Sequence, residues 1–182
     1  MSVKGLKKEK KMDNSSLDFE WSDIGDIAKG RPTLGMGMNV AAYRLFHYSL
    51  RSVLEKSCGK AETKNILVEA GRMSGIEFCK NLLDISLPPG SFFELLKDRM
   101  QELGMGILQV AHADFENLIF VLTVSEDLDC SGVPVTGEAV CNYDEGLIMG
   151  ILQMYTGRQF MVRETDCWAT GDWTCRFNIA AI

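Results

Sequence analysis

Four side chains in the last quarter of the chain, Cys141, Glu164, Cys167 and Cys175, restrict the fold more than any other feature. Glu164 and Cys167 form an E-x-x-C step, and Cys175 follows across the turn Trp168-Ala169-Thr170-Gly171-Asp172-Trp173-Thr174. Three thiolates and a carboxylate make a closed four-coordinate donor set of the kind zinc prefers, with no position left for water or substrate. Such a centre is structural, so binding or chemistry would lie elsewhere. On spacing alone two other readings stay open: three scattered core cysteines, or a disulfide between two of them.

A length of 182 residues fits one domain with a real core. Of the 19 basic and 25 acidic residues, five lysines and Glu9 lie in residues 1–12, leaving 14 basic against 24 acidic in the rest. That acidic body argues against a nucleic-acid surface. The polar residues 1–18 read as a flexible lysine-rich leader, and 19–182 as a single domain. No apolar stretch approaches about 18 residues, so no membrane span is expected. The N-terminus lacks the apolar region of a signal peptide, which places the chain in the cytoplasm with reduced thiols. Cys58 and Cys79, inside helical patterns, read as core.

Periodicity predicts four helices: Asn39 to Ser57, Lys60 to Leu83, Phe92 to Leu103 behind a Ser91/Glu94 capping box, and Gly137 to Tyr155. Strands are expected over Ile107–Ala113, Leu118–Ser125, Arg158–Thr165 and Thr174–Ile182. The order favours an α+β fold, with an antiparallel sheet of about four to five strands packed against four helices and a zinc-stapled C-terminal hairpin. Cys141 would sit in the first turns of the last helix, so coordination would tie that helix to the hairpin.

Other motifs carry less. Gly71-x3-Gly75 and Gly146-x3-Gly150 place small residues on one helical face, which suits intrachain packing, a ligand wall or a homodimer contact. Gly30 to Gly35 has P-loop spacing but lacks the Lys-Ser/Thr that follows, and Gly35-Met36-Gly37 lacks the third glycine of a dinucleotide fingerprint. No complete catalytic or redox-cofactor motif is present, which argues against an enzyme. Phe120 and Leu122 share one face of a strand, as do Leu108 and Val110 on its neighbour. With Tyr43, Phe46 and Phe78 from the helices, and His112 as the one polar donor, they are candidates to line an apolar pocket. A solid core is the competing expectation.

Pro134 to Phe177 resembles the 4-vinyl-reductase domain family. The resemblance is carried by Val140-Cys141, the helix through Gly146 and Gly150, Thr156-Gly157-Arg158, Arg163-Glu164-Thr165-Asp166-Cys167, Gly171-Asp172 and Cys175. Arg31-Pro32, Leu34-Gly35, Tyr43-Arg44, Ala70-Gly71 and Gly75 extend it more loosely over residues 28–182. The family includes aromatic-sensing input domains of bacterial phenol and xylene regulators, and is related in fold to small subunits of a eukaryotic vesicle-tethering complex. In the sensors zinc is held by a Cys, a Glu and two Cys, at intervals matching Cys141, Glu164, Cys167 and Cys175. There a His and a Trp hold the phenolic hydroxyl. Here Phe120 falls near the Trp, and Met100 to Leu103 near the His contains no histidine, so phenol itself is not implied.

The resemblance implies a cytoplasmic module with a structural zinc that binds a small apolar or aromatic molecule, acts as a homodimer and reports through a protein partner. It also implies two alternatives: an accessory role in tetrapyrrole vinyl reduction, and an assembly subunit holding a lipid chain.

Overall fold

A run of 43 helical residues, α2 (Val40–Leu82), follows a one-turn helix α1 (Ile27–Gly30) in the computed structural model, which describes residues 19–182. The expected leader, residues 1–18, lies outside the described residues. Asn39 caps α2 as its sequence suggests, its side-chain oxygen accepting the Ala41 N–H at 2.8 Å. The two expected helices over this stretch are one run broken at Gly59, whose φ of 83° and ψ of 163° leave the helical region. No atom lies within 4 Å of where a Gly59 side chain would begin, so the bend comes from backbone freedom.

The third helix, α3 (Pro89–Glu102), starts before the expected Phe92, and the Ser91/Glu94 box lies inside it. Pro89 takes the first helical position, where its fixed φ is favourable and its missing N–H costs nothing. Helix α4 (Asn142–Thr156) starts later than expected: Gly137 has a φ of 80°, and Cys141 is the N-cap rather than part of the first turns. Gly157, left-handed at φ 71°, closes α4.

The sheet holds β1 (Ile107–Asp114), β2 (Ile119–Ser125), β3 (Phe160–Asp166) and β4 (Cys175–Ala181), all antiparallel in the order β1-β2-β4-β3. The two expected hairpins are therefore joined by pairing of β2 with β4, Leu122 opposite Phe177. The fold is α+β, and the strand limits follow the alternation seen in sequence. On the inner face Leu108, Phe120, Leu122, Val124, Phe177 and Ile179 are buried, while Ile119 and Met161 on the outer face are exposed. Helix α3 packs on β1 and α4 on β3, and α2 lies across α4.

The four striped glycines make that last contact possible. A Cβ on Gly71 would stand 2.0 Å from Tyr143 O, on Gly75 2.2 Å from Leu147 O, on Gly146 1.9 Å from Val68 O and on Gly150 2.2 Å from Arg72 O. Helices α2 and α4 thus meet backbone to backbone. The stripes are spent inside the chain and give no support to a homodimer.

Candidate metal centre

Four cysteines converge where α4 starts and β4 starts. Cys141 arrives as the α4 N-cap, Cys167 at the end of β3, Cys175 as the first residue of β4, and Cys130 on the loop between β2 and α4. All four are sealed from solvent. Their sulfurs lie within 4.8 Å of one another, with Cys130–Cys175 at 3.2 Å, Cys141–Cys175 at 3.7 Å and Cys141–Cys167 at 3.8 Å. Sulfurs at the corners of a tetrahedron around zinc, each about 2.3 Å from the ion, would stand about 3.8 Å apart. The donor set therefore fits a tetrahedral thiolate-binding ion in chemistry and spacing.

Local hydrogen bonds aim each thiol. Asp127 Oδ1 accepts the N–H groups of Asp129 (2.9 Å) and Cys130 (3.0 Å), a turn that directs Cys130 inward. The Thr170 hydroxyl accepts the Cys167 N–H at 2.9 Å, and left-handed Gly171 (φ 106°) turns the chain toward β4. Contact with the Cys130 thiol is the leading reason that the Cys141 and Cys175 pKa values are driven up and that of Cys167 down. Crowded thiols cannot all ionise together without a cation.

Glu164 lies beside this group. Its Oε2 accepts the Cys141 N–H at 3.0 Å, while Oε1 is buried without a hydrogen-bond partner. Burial first, and the neighbouring Cys167 next, push its carboxyl up to about 8. Its own N–H donates to Glu145 Oε1 at 2.9 Å, and Glu145 pairs with Lys64 at 3.0 Å, so the carboxylate is held by a chain of contacts running back to α2.

The first half of α2 braces the Cys130 loop. Tyr43 donates to Asp129 Oδ1 at 2.6 Å, Arg44 to Leu128 O at 2.8 Å, Tyr48 to Asp129 O at 3.0 Å and Arg51 to Val140 O at 2.6 Å. Burial outweighs the attraction of Asp129 and lowers the pKa of His47 on the same face.

Of the expected pocket residues, Phe78, Leu108, Phe120 and Leu122 are buried in one continuous core and Val110 packs at its edge. Rings fill that space: Phe120 has centroids of Phe93, Phe115 and Phe160 at 5.8, 5.4 and 6.2 Å. Phe46 points outward, and His112 is exposed beyond a bulge in β1 between Val110 and His112, which breaks the simple alternation. Tyr43 faces Asp129. Cys79 is core as expected; Cys58 is exposed, against expectation, because it lies at the Gly59 bend.

Cys130 and Asp127 were missed by spacing arguments. Cys130 sits in a loop with no periodicity, and its only sequence signal is a fourth thiol ahead of Cys141. Among the described residues no helix is long and apolar enough to cross a membrane.

Comparison with known proteins agrees with this architecture. The uncharacterized protein MJ0150 of Methanocaldococcus jannaschii is 30% identical over 160 residues, 86% of each chain. Among solved structures, the phenol-responsive sensory domain of the transcription activator PoxR, with phenol, superposes with a TM-score of 0.64 at 15% identity, over 80% of this chain and 76% of that one. A vinyl-4-reductase family protein from M. jannaschii gives 0.63 at 17% identity, over 92% and 98%. Subunit 3 of a trafficking protein particle complex from Naegleria fowleri, covalently bound to palmitic acid, gives 0.60 at 15%, over 79% and 95%. At these identities the structures share the fold. The family model for the vinyl-4-reductase domain matches residues 120–181, the segment holding β2, α4, β3, β4 and the four clustered cysteines, and the chain belongs to the 4-vinyl-reductase domain family.

Proposed function

We propose that the protein is a small-molecule-binding sensor domain stabilised by a structural zinc, taking an apolar or aromatic ligand and reporting through a protein partner. The observation that carries the ligand reading is the ring cluster under the β1–β2 turn. Phe93 and Phe120 are buried, while Phe115, 5.9 and 5.4 Å from them, is 41% exposed at its mouth. Outward rotation of Phe115 would open an aromatic-lined space without disturbing a backbone hydrogen bond. The shared fold with the phenol-responsive domain supports the same reading. Absence of the His–Trp pair expected in phenol sensors points to ligands less polar than phenol.

Zinc in this reading is held by the Cys141, Cys167 and Cys175 thiolates. Cys130 takes the fourth position, for which the sequence pattern nominated Glu164, because Glu164 Oε2 is committed to the Cys141 N–H. The ion supplies no chemistry beyond neutralising thiolates and locking the hairpin to α4.

The test is a thermal-shift and native mass spectrometry series with alkylbenzenes, phenols and long-chain fatty acids. Alkylbenzenes should raise Tm, and Phe115→Ala should change the size of the rise. No shift with any aromatic would reject the sensor reading. A rise with fatty acids alone would favour the assembly-subunit reading, for which the palmitate-bearing relative is the supporting observation.

A further inference from the structure

The first half of α2 is amphipathic in the inverted sense. Its polar side chains Tyr43, Arg44, Tyr48 and Arg51 face inward onto the Cys130 loop, as their hydrogen bonds show. Its outward face, recurring at helical spacing through Leu45, Phe46 and Val53, is apolar and exposed by 75%, 66% and 59%. Ala42 and Ser49 complete that stripe, and no charged side chain falls on it. The segment leading into the helix adds Leu34, Met36 and Met38, all exposed. An apolar patch of this extent on a surface facing water marks an interface.

We propose that this face docks a second copy of the same chain, forming an isologous dimer across the outer stripe of the first half of α2. Three observations favour a second copy as the occupant. The six exposed apolar side chains named above would bury on the order of 800 Å² per copy, the size of a standard specific interface. The stripe is uncharged on a chain of formal net charge −6, so it is where two copies meet with least repulsion. It is also a single straight helical face centred on Phe46 and Ser49, and such a face is complementary to itself under a two-fold rotation with helix ridges in helix grooves. The glycine stripes play no part. The surface is also independent of the ring cluster, so it stands whether or not that cluster admits a ligand.

The experiment is sedimentation velocity on the zinc-loaded full chain at micromolar concentration, where the monomer is 20.3 kDa. Wild type should sediment at about twice that mass. Phe46→Asp should raise the dimer dissociation constant at least a hundredfold, leaving zinc content and circular dichroism unchanged because Phe46 contacts solvent in the monomer. Met161→Asp, on the exposed sheet face, should leave the dimer intact. In a Cys58→Ser background, Ser49→Cys should give a disulfide-linked dimer under mild oxidation. A monomeric wild type would overturn the proposal. So would a dimer unaffected by Phe46→Asp combined with Leu45→Asp, or a Ser49→Cys protein that stays uncrosslinked while sedimenting as a dimer.

Discussion

Gly146→Ala puts the α2–α4 seam to a quantitative test. A methyl group there would stand 1.9 Å from Val68 O and 2.7 Å from Arg72 N, where ordinary contact begins at 3.4 Å. The obstacles are backbone atoms of a helix, which cannot rotate aside as a side chain would. Helices α2 and α4 would have to part by about 1.5 Å, loosening Leu67, Leu147 and Ile151 against their neighbours. Overpacking of a tight core costs about 1–3 kcal/mol, and a backbone obstacle belongs at the upper end. Alanine returns about 1 kcal/mol of helix propensity. The net loss is about 2 kcal/mol, or about 4–8 °C in Tm for a chain of this size. Gly90→Ala is the control: nothing lies within 4 Å of its Cβ, so the variant should match or exceed wild type. Urea unfolding and calorimetry on both variants read the difference. A Gly146→Ala protein as stable as wild type would refute backbone-to-backbone packing at this seam.

Other consequences are separable. Cys130→Ser should lower zinc occupancy and Tm together, because site and fold are coupled; Glu164→Gln, which can still accept the Cys141 N–H, should retain its zinc. In zinc-loaded protein only Cys58 should react rapidly with a thiol reagent at neutral pH, since burial pushes Cys79 up to about 11 and the other four are sealed; chelation should add the clustered thiols before Cys79 responds. The imidazole of His47 is held below its ordinary pKa, so the unfolded chain binds the extra proton as pH drops below about 6.5. Its contribution is complete above that pH and is lost on acidification, so the gap between wild type and His47→Gln should change between pH 7 and pH 5 in denaturant titrations.

What was legible in the sequence was the periodic part. Alternation along Leu118 to Ser125 and Thr174 to Ile182 located two strands to within a residue or so, because each buries one face. The glycine stripes announced a close helix contact but not its partner, since small residues suit a second copy as well as α4. Strand order was hidden, because pairing of β2 with β4 depends on contacts remote in sequence. The Gly59 bend joins what periodicity separated, as a single non-helical residue barely shifts a hydrophobic stripe. Three of the clustered cysteines were readable from their intervals. Cys130 was not, because its place is set by the Asp127 turn and by α2 leaning on the loop. The pocket residues share a face on paper, yet the β1 bulge and the outward turn of Phe46 divide them.

Zinc K-edge X-ray absorption on the purified full chain bears most directly on the metal centre. We expect a single shell of four sulfur atoms at about 2.3 Å, reduced to three in Cys130→Ser and unchanged in Glu164→Gln. Three sulfurs with an oxygen at about 2.0 Å in wild type, or undamaged protein without stoichiometric metal, would contradict the four-thiolate centre.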